Sequence, residues 1–435
     1  MRKKYNKIFA VTFSSIIVSS LILSNDPEVS GKSSDNDKKK NVVFMVADGY
    51  SAAYATNYRI FNGKDSVLDP YLTGMVKTYS ASSKITDSAA AATAMSTGVK
   101  TKNGYIGVSP DNSDLITMIE AINTHSKKST GLVSTTRLTD ATPASFAAHS
   151  IGRNADQSIA NQLINQKVDV LLGGGKSYFT DETLAQASNE NYQLVTDRSQ
   201  LSSKVISNDD RLLGLFSDSD MAPEIDREST NEPSLKEMSE KAINHLNKNK
   251  NGFFLMIEGG QIDSGGHVHD VPWIMNDIRA FEDTVQSVID FAKKDKNTLV
   301  IVVGDHDTGG MSVGGYDKFG SNIESLRSVT ASGSFMVNQF DSSKSNVREV
   351  LKNYANIDLT DSEYSRIFNS SNPSKEINSI LSERSLVGWI NYGHTGQDVP
   401  LYSYGKNANQ FRGIQDNIEL PEKISKVLEI PFPFN

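Results

Sequence analysis

Three strongly apolar runs in this chain each lead into a carboxylate, and this pattern limits the folds that the chain can adopt. The runs are 41–46, 253–257 and 299–303, and they lead into Asp48, Glu258 and Asp305 respectively. Continuous apolar runs with β-branched residues are typical of strands that are buried on both faces of a sheet. In open α/β sheets, ligands bind beyond the carboxyl ends of such strands. We therefore expect a functional site where these three strands end.

The other predicted strands and helices alternate along the chain. Strands are predicted at 131–134, 168–172 and 399–404. Amphipathic helices are predicted at 114–125 and 234–250, a long helix at 273–291, and a C-terminal helix near 420–428. This alternation implies a mostly parallel sheet whose carboxyl ends line up on one side. The weakly periodic stretch 178–211 is interpreted as surface excursions. The Ser- and Asn-rich segment 311–390 is interpreted as a peripheral insertion with helices near 345–354 and 374–383.

A run of small residues from Thr86 to Gly98 predicts a helix with polar side chains at its beginning. Alanine is the best helix former, so residues 89–95 should be helical, with Thr86, Asp87 or Ser88 at the start. The first turn of a helix has unpaired N–H groups and the positive end of the helix dipole, which together favour an anion. Taken alone, however, the run is best explained as a helix with a Ser N-cap that packs tightly on a sheet.

Histidines accompany the acidic strand ends, and this combination indicates a metal site. His267 and His306 closely follow two of the carboxylates, and His394 comes from a fourth segment. Clustered carboxylates repel each other and have raised pKa values unless a cation lies among them. Asp and His without any Cys form a ligand set for zinc and for harder divalent ions. Asp263 and His267 are four residues apart, so one helical turn can direct both at one ion.

The first 40 residues differ in character from the rest of the chain. A basic start, with Arg2, Lys3, Lys4 and Lys7, precedes the largely apolar run 8–23, which is typical of a secretory signal. Residues 1–40 are therefore interpreted as a signal peptide and polar spacer, and 41–435 as the folded domain of a secreted or cell-surface protein. An uncleaved anchor is the alternative. The chain has no Cys, which excludes disulfides and a lipid-modified Cys.

The charge of the exported part argues against nucleic-acid binding. Without residues 1–40, the chain has 36 Lys and Arg against 48 Asp and Glu, a formal charge of −12. Nucleic-acid binding relies on Lys and Arg that contact phosphates, so a strongly acidic surface disfavours it. The same surplus of carboxylates is compatible with bound cations.

Six motifs resemble those of the alkaline phosphatase family, and they occur in the family's order. They are Asp48-Gly49, Thr86-Asp87-Ser88-Ala-Ala-Ala-Ala-Thr-Ala, Asp140-Ala141-Thr142-Pro143, Glu258-Gly-Gly-x-x-Asp263-x-x-x-His267, Asp305-His306-x-Thr-Gly-Gly and Gly393-His394-Thr395-Gly396. They span most of the exported chain. The resemblance implies an α/β fold, a three-layer α/β/α sandwich with a central, mostly parallel sheet, and the activity of an exported, metal-dependent phosphomonoesterase.

The resemblance also implies a role for each matched residue. Ser88 would be the nucleophile that becomes a phosphoserine, and Arg153 would bind the phosphate. One zinc ion would be held by Asp263, His267 and His394, and a second zinc ion by Asp48, Asp305 and His306. Magnesium would be held by Thr142, Glu258 and a bridging Asp48, with Asp140 as a direct or water-mediated partner.

Three positions depart from patterns common in the family. Ser264 stands where relatives often have Lys, His or Trp, which predicts a more open phosphate pocket with altered turnover and phosphate affinity. Tyr50 stands where Met is common, and we expect it to shape the pocket wall. Asp140 stands where some relatives have His, and its oxygen atoms favour magnesium over zinc at the third site.

Two other functions are open as alternatives. A phosphodiesterase or another phosphate-transfer enzyme can use the same metal scaffold, although Arg153 suits a terminal phosphate better than a diester. A binding or adhesion protein on a retained fold predicts the loss of a ligand residue, and the sequence has the full set. The expected substrates are small phosphate monoesters, and the resemblance leaves a homodimer open.

Overall fold

The computed structural model describes residues 39–434. The predicted signal segment and nearly all of its spacer lie outside the described residues, so export stays a prediction. Among residues 39–434, no helix combines the length and the apolar character that are needed to cross a membrane.

A ten-stranded sheet forms the centre of the described fold. Its strands are β1 (Asn41–Ala47), β2 (Leu72–Lys77), β3 (Ser129–Arg137), β4 (Val170–Gly174), β5 (Tyr192–Val195), β6 (Arg211–Leu215), β7 (Phe253–Gly259), β8 (Thr298–Gly304), β11 (Val399–Gly405) and β12 (Gly413–Asp416), while β9 (Asp307–Thr308) and β10 (His394–Thr395) form a separate pair. The order across the large sheet is β12-β2-β11-β8-β1-β7-β3-β4-β6-β5. Within this sheet only β11 runs antiparallel to its neighbours. The other strands therefore direct their carboxyl ends to one side.

The side chains of β1 alternate between two apolar cores. Val43 and Met45 belong to one buried cluster, and Val42, Phe44 and Val46 belong to another. Successive side chains of a strand point to opposite faces of the sheet. Both faces are therefore covered, and the predicted three-layer α/β/α sandwich is confirmed.

Helices supply the two outer layers. They are α1 (Ala52–Asn62), α2 (Ser88–Thr97), α3 (Met118–His125), α4 (Ala141–Ala144), α5 (Asp156–Asn165), α6 (Asp181–Asn189), α7 (Arg198–Ser203), α8 (Leu235–Leu246), α9 (Gln261–His267), α10 (Val271–Asp295), α11 (Gly333–Asn338), α12 (Val347–Ala355), α13 (Asp361–Asn369), α14 (Pro373–Ser385) and α15 (Glu419–Leu428), with short 3-10 helices at Asp69–Tyr71, Lys176–Tyr178, Arg227–Ser229, Ile323–Ser328 and Ala408–Phe411. The long α10 packs on the face of Val43, through residues such as Ile274, Ile278 and Val285. Their spacing of four and seven places them on one side of the helix.

The stretch 178–211 contains regular structure, so its interpretation as surface excursions is wrong. It includes α6, β5, α7 and the beginning of β6, and the two strands extend the sheet at one edge. In β5, which has four residues, only Tyr192 and Val195 are buried. Such a short and half-exposed edge strand has too few apolar residues to produce a clear alternating pattern.

The segment 311–390 contains α11 to α14 and begins and ends beside the same pair of short strands. β9 and β10 are antiparallel, with Thr308 opposite His394. The predicted helices near 345–354 and 374–383 correspond to α12 and α14. Ile377 and Leu381 of α14 belong to the same apolar core as Val43 of β1. The helices of this segment therefore pack on the core of the domain, and its status as a peripheral insertion stays a prediction.

Candidate active site

The three carboxylates that end apolar runs meet at the carboxyl edge of the sheet. β1 lies between β7 and β8, and Ala47 of β1 is in register with Gly304 of β8. Asp48 and Asp305 therefore follow adjacent strands at the same level, and Glu258 lies on the other side, in β7. All three side chains are buried. The parallel register thus brings together residues that are far apart in sequence.

A turn at Gly49 connects two of these carboxylates. Gly49 has a φ of 74° and donates its N–H to Oδ1 of Asp305 at 3.0 Å. A Cβ atom at this position would lie 2.8 Å from Oγ1 of Thr308 and 3.0 Å from Cα of Asp263. Glycine alone adopts this conformation freely and leaves room for such a close approach. The Asp48-Gly49 motif therefore has a local structural reason.

Ser88 is the first residue of α2, and its hydroxyl contacts the same site. Asp87 is the N-cap of this helix, because its Oδ1 accepts the N–H of Ala90 at 3.0 Å. Ser88 therefore does not cap the helix, and its hydroxyl is available for other contacts. Its Oγ lies 3.1 Å from Nε2 of His306, and the residue is only 2% exposed.

Asp263, His267 and His394 form one group of potential metal ligands. Each offers a ligand atom, and these atoms lie within 4.8 Å of one another. Nε2 of His267 is 3.2 Å from Oδ2 of Asp263. The Nδ1 atoms of His267 and His394 lie 2.7 Å and 2.9 Å from the carbonyl oxygens of Tyr392 and Thr86. These backbone contacts hold both rings with Nε2 toward the group, as is usual for histidines that bind metals.

Asp48, Asp263 and His306 form a second such group, also with ligand atoms within 4.8 Å of one another. Asp263 therefore belongs to both groups. Asp305 lies beside the second group, with its Oδ2 3.2 Å from Nε2 of His306. The structure thus brings together all the residues predicted to hold the second zinc ion. Their assignment to one particular ion stays a prediction.

The residues predicted to hold magnesium adjoin the second group and offer oxygen atoms only. Oγ1 of Thr142 lies 3.5 Å from Oδ2 of Asp48. Thr142 lies in α4, and Asp140 is the N-cap residue of that short helix. Glu258 is fully buried nearby on β7. A ligand set made of oxygen atoms is the kind that magnesium prefers.

Burial and mutual repulsion disfavour the ionised form of the clustered carboxylates unless a cation lies among them. Burial, followed by the charges of Asp305 and Asp263, raises the pKa of Asp48 well above its usual range. Burial, followed by the charge of Asp140, raises the pKa of Glu258 to about 7. Each of these carboxyls would therefore tend to bind a proton unless a positive ion lies beside it.

The donor set fits divalent metal ions. Oδ1 of Asp48, Oε1 of Glu258 and Oδ2 of Asp305 are buried and accept no hydrogen bond from the residues that the structure describes. Burial, followed by the charge of His394, lowers the pKa of His306, which favours the neutral imidazole that a metal requires. Bound cations would satisfy the three oxygens and offset the repulsion between carboxylates. The residues therefore fit the ions that the resemblance implies.

Arg153 lies between α4 and α5, at the side of the site where α2 begins. Its guanidinium nitrogens are 3.3 Å from Oδ2 of Asp87 and 3.4 Å from Oδ1 of Asp140. The first contact places Arg153 next to the residue that precedes Ser88. The predicted phosphate-binding residue is thus close to the predicted nucleophile, and its side chain is 29% exposed.

Four residues that the sequence analysis did not single out hold the predicted ligands in place. They are Ser134 and Thr136, which donate to Glu258, Thr308, which donates to Asp263, and Arg137, which pairs with Asp140. Thr308 lies within the Asp305-His306-x-Thr-Gly-Gly motif, so the sequence pattern could have indicated that it belongs to the site. Ser134, Thr136 and Arg137 lie at the end of β3, which extends three residues beyond its predicted end at Ser134.

Tyr50 and Ser264, two of the departures from the family pattern, lie in different environments. Tyr50 is 2% exposed and packs against Tyr54, with ring centroids 6.4 Å apart. The expectation that Tyr50 shapes the pocket wall is wrong, because its side chain belongs to the apolar core. Ser264 is partly buried in α9, directly after Asp263. Its effect on turnover stays a prediction.

The fold and the clustered ligands are those of a metal-dependent enzyme, and comparison with known proteins identifies the family. The alkaline phosphatase profile matches residues 39–430. Alkaline phosphatase 3 of Bacillus subtilis (strain 168) is 38% identical over 467 residues, which cover 100% of both chains. The crystal structure of a cold-active alkaline phosphatase from a psychrophilic Shewanella species is 31% identical, with a TM-score of 0.84 over 89% of this chain and 99% of that one.

A third relative bears on the metal sites. It is a histidine-to-aspartate variant of the alkaline phosphatase from the Antarctic bacterium TAB5, 27% identical, with a TM-score of 0.68 over 90% of this chain and 99% of that one.

The chain described here belongs to the alkaline phosphatase family. It is a metal-dependent phosphomonoester hydrolase with the fold of the bacterial enzymes.

Proposed function

We propose that this chain is an exported enzyme that hydrolyses phosphate monoesters through a phosphoserine on Ser88, with two zinc ions and one magnesium ion. The observation that carries the proposal is the position of the Ser88 hydroxyl, 3.1 Å from Nε2 of His306 at the beginning of α2. A serine hydroxyl is a weak nucleophile unless a base or a metal activates it. His306 is itself a predicted ligand, so activation by metal is the simpler explanation.

The proposed ligand assignment is the one that the family resemblance implies, and the two ligand groups described above support it. One zinc ion would be held by Asp263, His267 and His394, a second by Asp48, Asp305 and His306, and magnesium by Asp48, Thr142 and Glu258 with Asp140. When bound, such ions lower the pKa of coordinated hydroxyls and offset charge on the attacking and leaving oxygens. The TAB5 variant with aspartate in place of a histidine has magnesium in its M3 site. That precedent supports an oxygen-based magnesium site beside Asp140.

The protein's own groups position the phosphate and supply the nucleophile. Arg153 would bind two non-bridging oxygens of the phosphate with its guanidinium fork. The unpaired N–H groups in the first turn of α2 and its dipole favour the same dianion. Oγ of Ser88 would then lose its proton to water and attack phosphorus as the bond to the ester oxygen breaks, and the leaving group would depart as an alcohol after it gains a proton from water. Water attacks the phosphoserine in a second step, which releases phosphate and restores the Ser88 hydroxyl.

Three further features belong to the same proposal. Residues 1–40 would direct export, since a basic start precedes a largely apolar run. Residues 41–435 would form the catalytic domain, with 311–390 as its peripheral insertion. Ser264 would leave the phosphate pocket more open than a larger side chain does.

The proposed reaction is tested by phosphate release from 4-nitrophenyl phosphate, compared with bis(4-nitrophenyl) phosphate as the matching diester. The purified protein is assayed as isolated, after chelation, and after zinc and magnesium are restored. We expect a preference for the monoester that disappears on chelation and returns with the metals. A preference for the diester would favour the phosphodiesterase alternative. No release of either product with metals bound would contradict the proposed function.

A further inference from the structure

Four side chains beside the site form a continuous stack. The ring of His269 lies between the rings of Trp389 and Tyr392, with centroid distances of 4.3 Å and 4.0 Å and interplanar angles of 4° and 10°. Nζ of Lys375, from α14, lies 4.4 Å from the centroid of the Tyr392 ring. Nε2 of His269 lies 2.7 Å from the carbonyl oxygen of Asn391. The ammonium of Lys375 therefore lies against Tyr392, which precedes the predicted metal ligand His394 by two residues.

Two cavities meet at this stack. The larger has a volume of about 560 Å³ and is lined by Lys375, Tyr392, Trp389 and Ile390 among others. The smaller has a volume of about 260 Å³ and is lined by Lys375 and Tyr392 together with His267. His267 is a predicted metal ligand, so the smaller cavity begins at the edge of the metal site. A molecule bound at that site would extend from His267 toward Lys375.

Lys375 is available to bind an anion. Among the residues that the structure describes, no carboxylate oxygen lies within 4.0 Å of its Nζ, whereas Arg366 and Arg384, on α13 and α14, are paired with glutamates. The neighbouring apolar groups are also open to solvent, since Tyr392 is 46% exposed and Ile390 is 73% exposed. An unpaired ammonium beside exposed apolar side chains suits a ligand that is both carbon-rich and anionic.

We propose that this surface is the subsite for the leaving group of the phosphate monoester, and that it selects leaving groups that carry a second anionic group. The inference rests on the proposed function, because the scissile phosphate must lie at the metal site. The ammonium of Lys375 pairs with the second anion, while Val268 and Tyr392, which line the smaller cavity, contact the carbon skeleton. His269 acts as a positioning residue, because it fixes Tyr392 and, through that ring, Lys375.

Two esters of nearly equal shape test the charge preference. 4-Carboxyphenyl phosphate carries the second anion, and 4-carbamoylphenyl phosphate replaces it with a neutral amide. The measured quantity is the ratio of kcat/KM for the carboxylate to kcat/KM for the amide, determined for wild type and for Lys375→Gln. Because the same two esters are used with wild type and with Lys375→Gln, their difference in intrinsic reactivity cancels when the two ratios are compared. We expect Lys375→Gln to lower this ratio about threefold to fivefold, the effect of one partly exposed charge pair.

Lys352→Gln is the matched control. Lys352 lies in the same 311–390 segment, pairs with Asp358 at 2.8 Å, and lines neither cavity, so the ratio should equal that of wild type. An unchanged ratio in Lys375→Gln, or an equal fall in Lys352→Gln, would overturn the subsite. Absence of phosphate release from both esters by the metal-loaded wild type would instead show that the proposed function has failed.

Discussion

The Nε2 atoms of His267 and His394 face each other at a distance of 3.2 Å. Each ring has its Nδ1 against a backbone carbonyl, which favours the proton on Nδ1 and a lone pair on Nε2. Two lone pairs at this distance repel unless a proton or a cation lies between them. A hydrogen bond with Asp263 raises the pKa of His267 to about 9, so a proton and a metal ion compete for this position.

Replacement of His394 should remove a metal ion without removing the fold. We expect His394→Ala to lower the zinc content by about one ion per chain after dialysis against excess zinc, measured by elemental analysis. The reason is that two ligands, one of them a protonatable histidine, hold zinc less tightly than three. His125→Ala is the control, because His125 is exposed at the end of α3. Equal zinc content in both variants would contradict the predicted ligand set.

Replacement of Ser88 should abolish turnover, since no other group carries the phosphoryl transfer in the proposed mechanism. We expect Ser88→Ala to lower kcat on the order of 10⁴-fold or more. The helix should persist, because Asp87 rather than Ser88 caps α2. Thermal unfolding followed by circular dichroism checks the fold.

A second serine of the same helix separates stability from chemistry. Oγ of Ser96 accepts the N–H of Met118 at 3.1 Å, and both groups are buried. Ser96→Ala leaves that N–H unpaired, which should cost about 1–3 kcal/mol of stability while kcat is retained. If Ser88→Ala retained turnover, or if Ser96→Ala lost it in the folded state, the assignment of the nucleophile would be wrong.

Replacement of Arg153 by lysine should weaken phosphate binding while the charge is kept. Lysine lacks the planar fork that binds two phosphate oxygens at once. Loss of one charged hydrogen bond of about 1.5–3 kcal/mol should raise the inhibition constant of inorganic phosphate about 10-fold to 100-fold. Competitive inhibition assays measure this constant. Lys102→Arg, at a partly exposed loop position, should leave it unchanged. Equal constants for Arg153→Lys and wild type would exclude the phosphate-binding role.

The pair formed by His149 and Glu120 should make stability depend on pH. Nε2 of His149 lies 2.9 Å from Oε1 of Glu120. Burial opposes the charge on His149, but the hydrogen bonds with Glu120 and Gly107 raise its pKa overall. Burial likewise opposes the charge on Glu120, but its bonds with His149 and Thr117 lower its pKa overall.

The sign of the effect follows from these two directions. A raised histidine pKa gives stability that is fully present below about pH 6.5 and is lost as the pH rises through the raised value. A lowered glutamate pKa gives stability that is present above about pH 4.3 and is lost as the pH falls through the lowered value. His149→Gln should therefore cost more free energy of unfolding at pH 5.5 than at pH 9, by about 1 kcal/mol.

Urea unfolding of wild type and His149→Gln at the two pH values measures this difference. His125→Gln, which alters an exposed side chain, should change the free energy of unfolding little at either pH. A cost for His149→Gln that is equal at pH 5.5 and pH 9 would show that the pair does not contribute as a charged pair.

Much of the site was predictable because its residues lie at the ends of strong sequence signals. The apolar runs that precede Asp48, Glu258 and Asp305 are long and β-branched, so the strands and their buried ends were visible. The edge strands were not, because β5 buries only half of its side chains and lacks a clear period. The environment of Tyr50 was not predictable either, since an aromatic residue after a strand can face the core or a pocket.

The sequence by itself determined which strands are buried, where their carboxylates occur, and that histidines with the spacing of metal ligands accompany them. These are local properties, set by hydrophobic period and by short-range spacing. The tertiary structure decided that Asp263 belongs to both ligand groups, that Asp87 rather than Ser88 caps α2, and that Lys375 reaches the edge of the metal site. The contacts of Asp263 and Lys375 involve residues that are distant in sequence, and Asp87 and Ser88 are neighbours that could each have capped the helix. These contacts depend on the register of β1, β7 and β8 and on the packing of the 311–390 segment against the site, which no local pattern encodes.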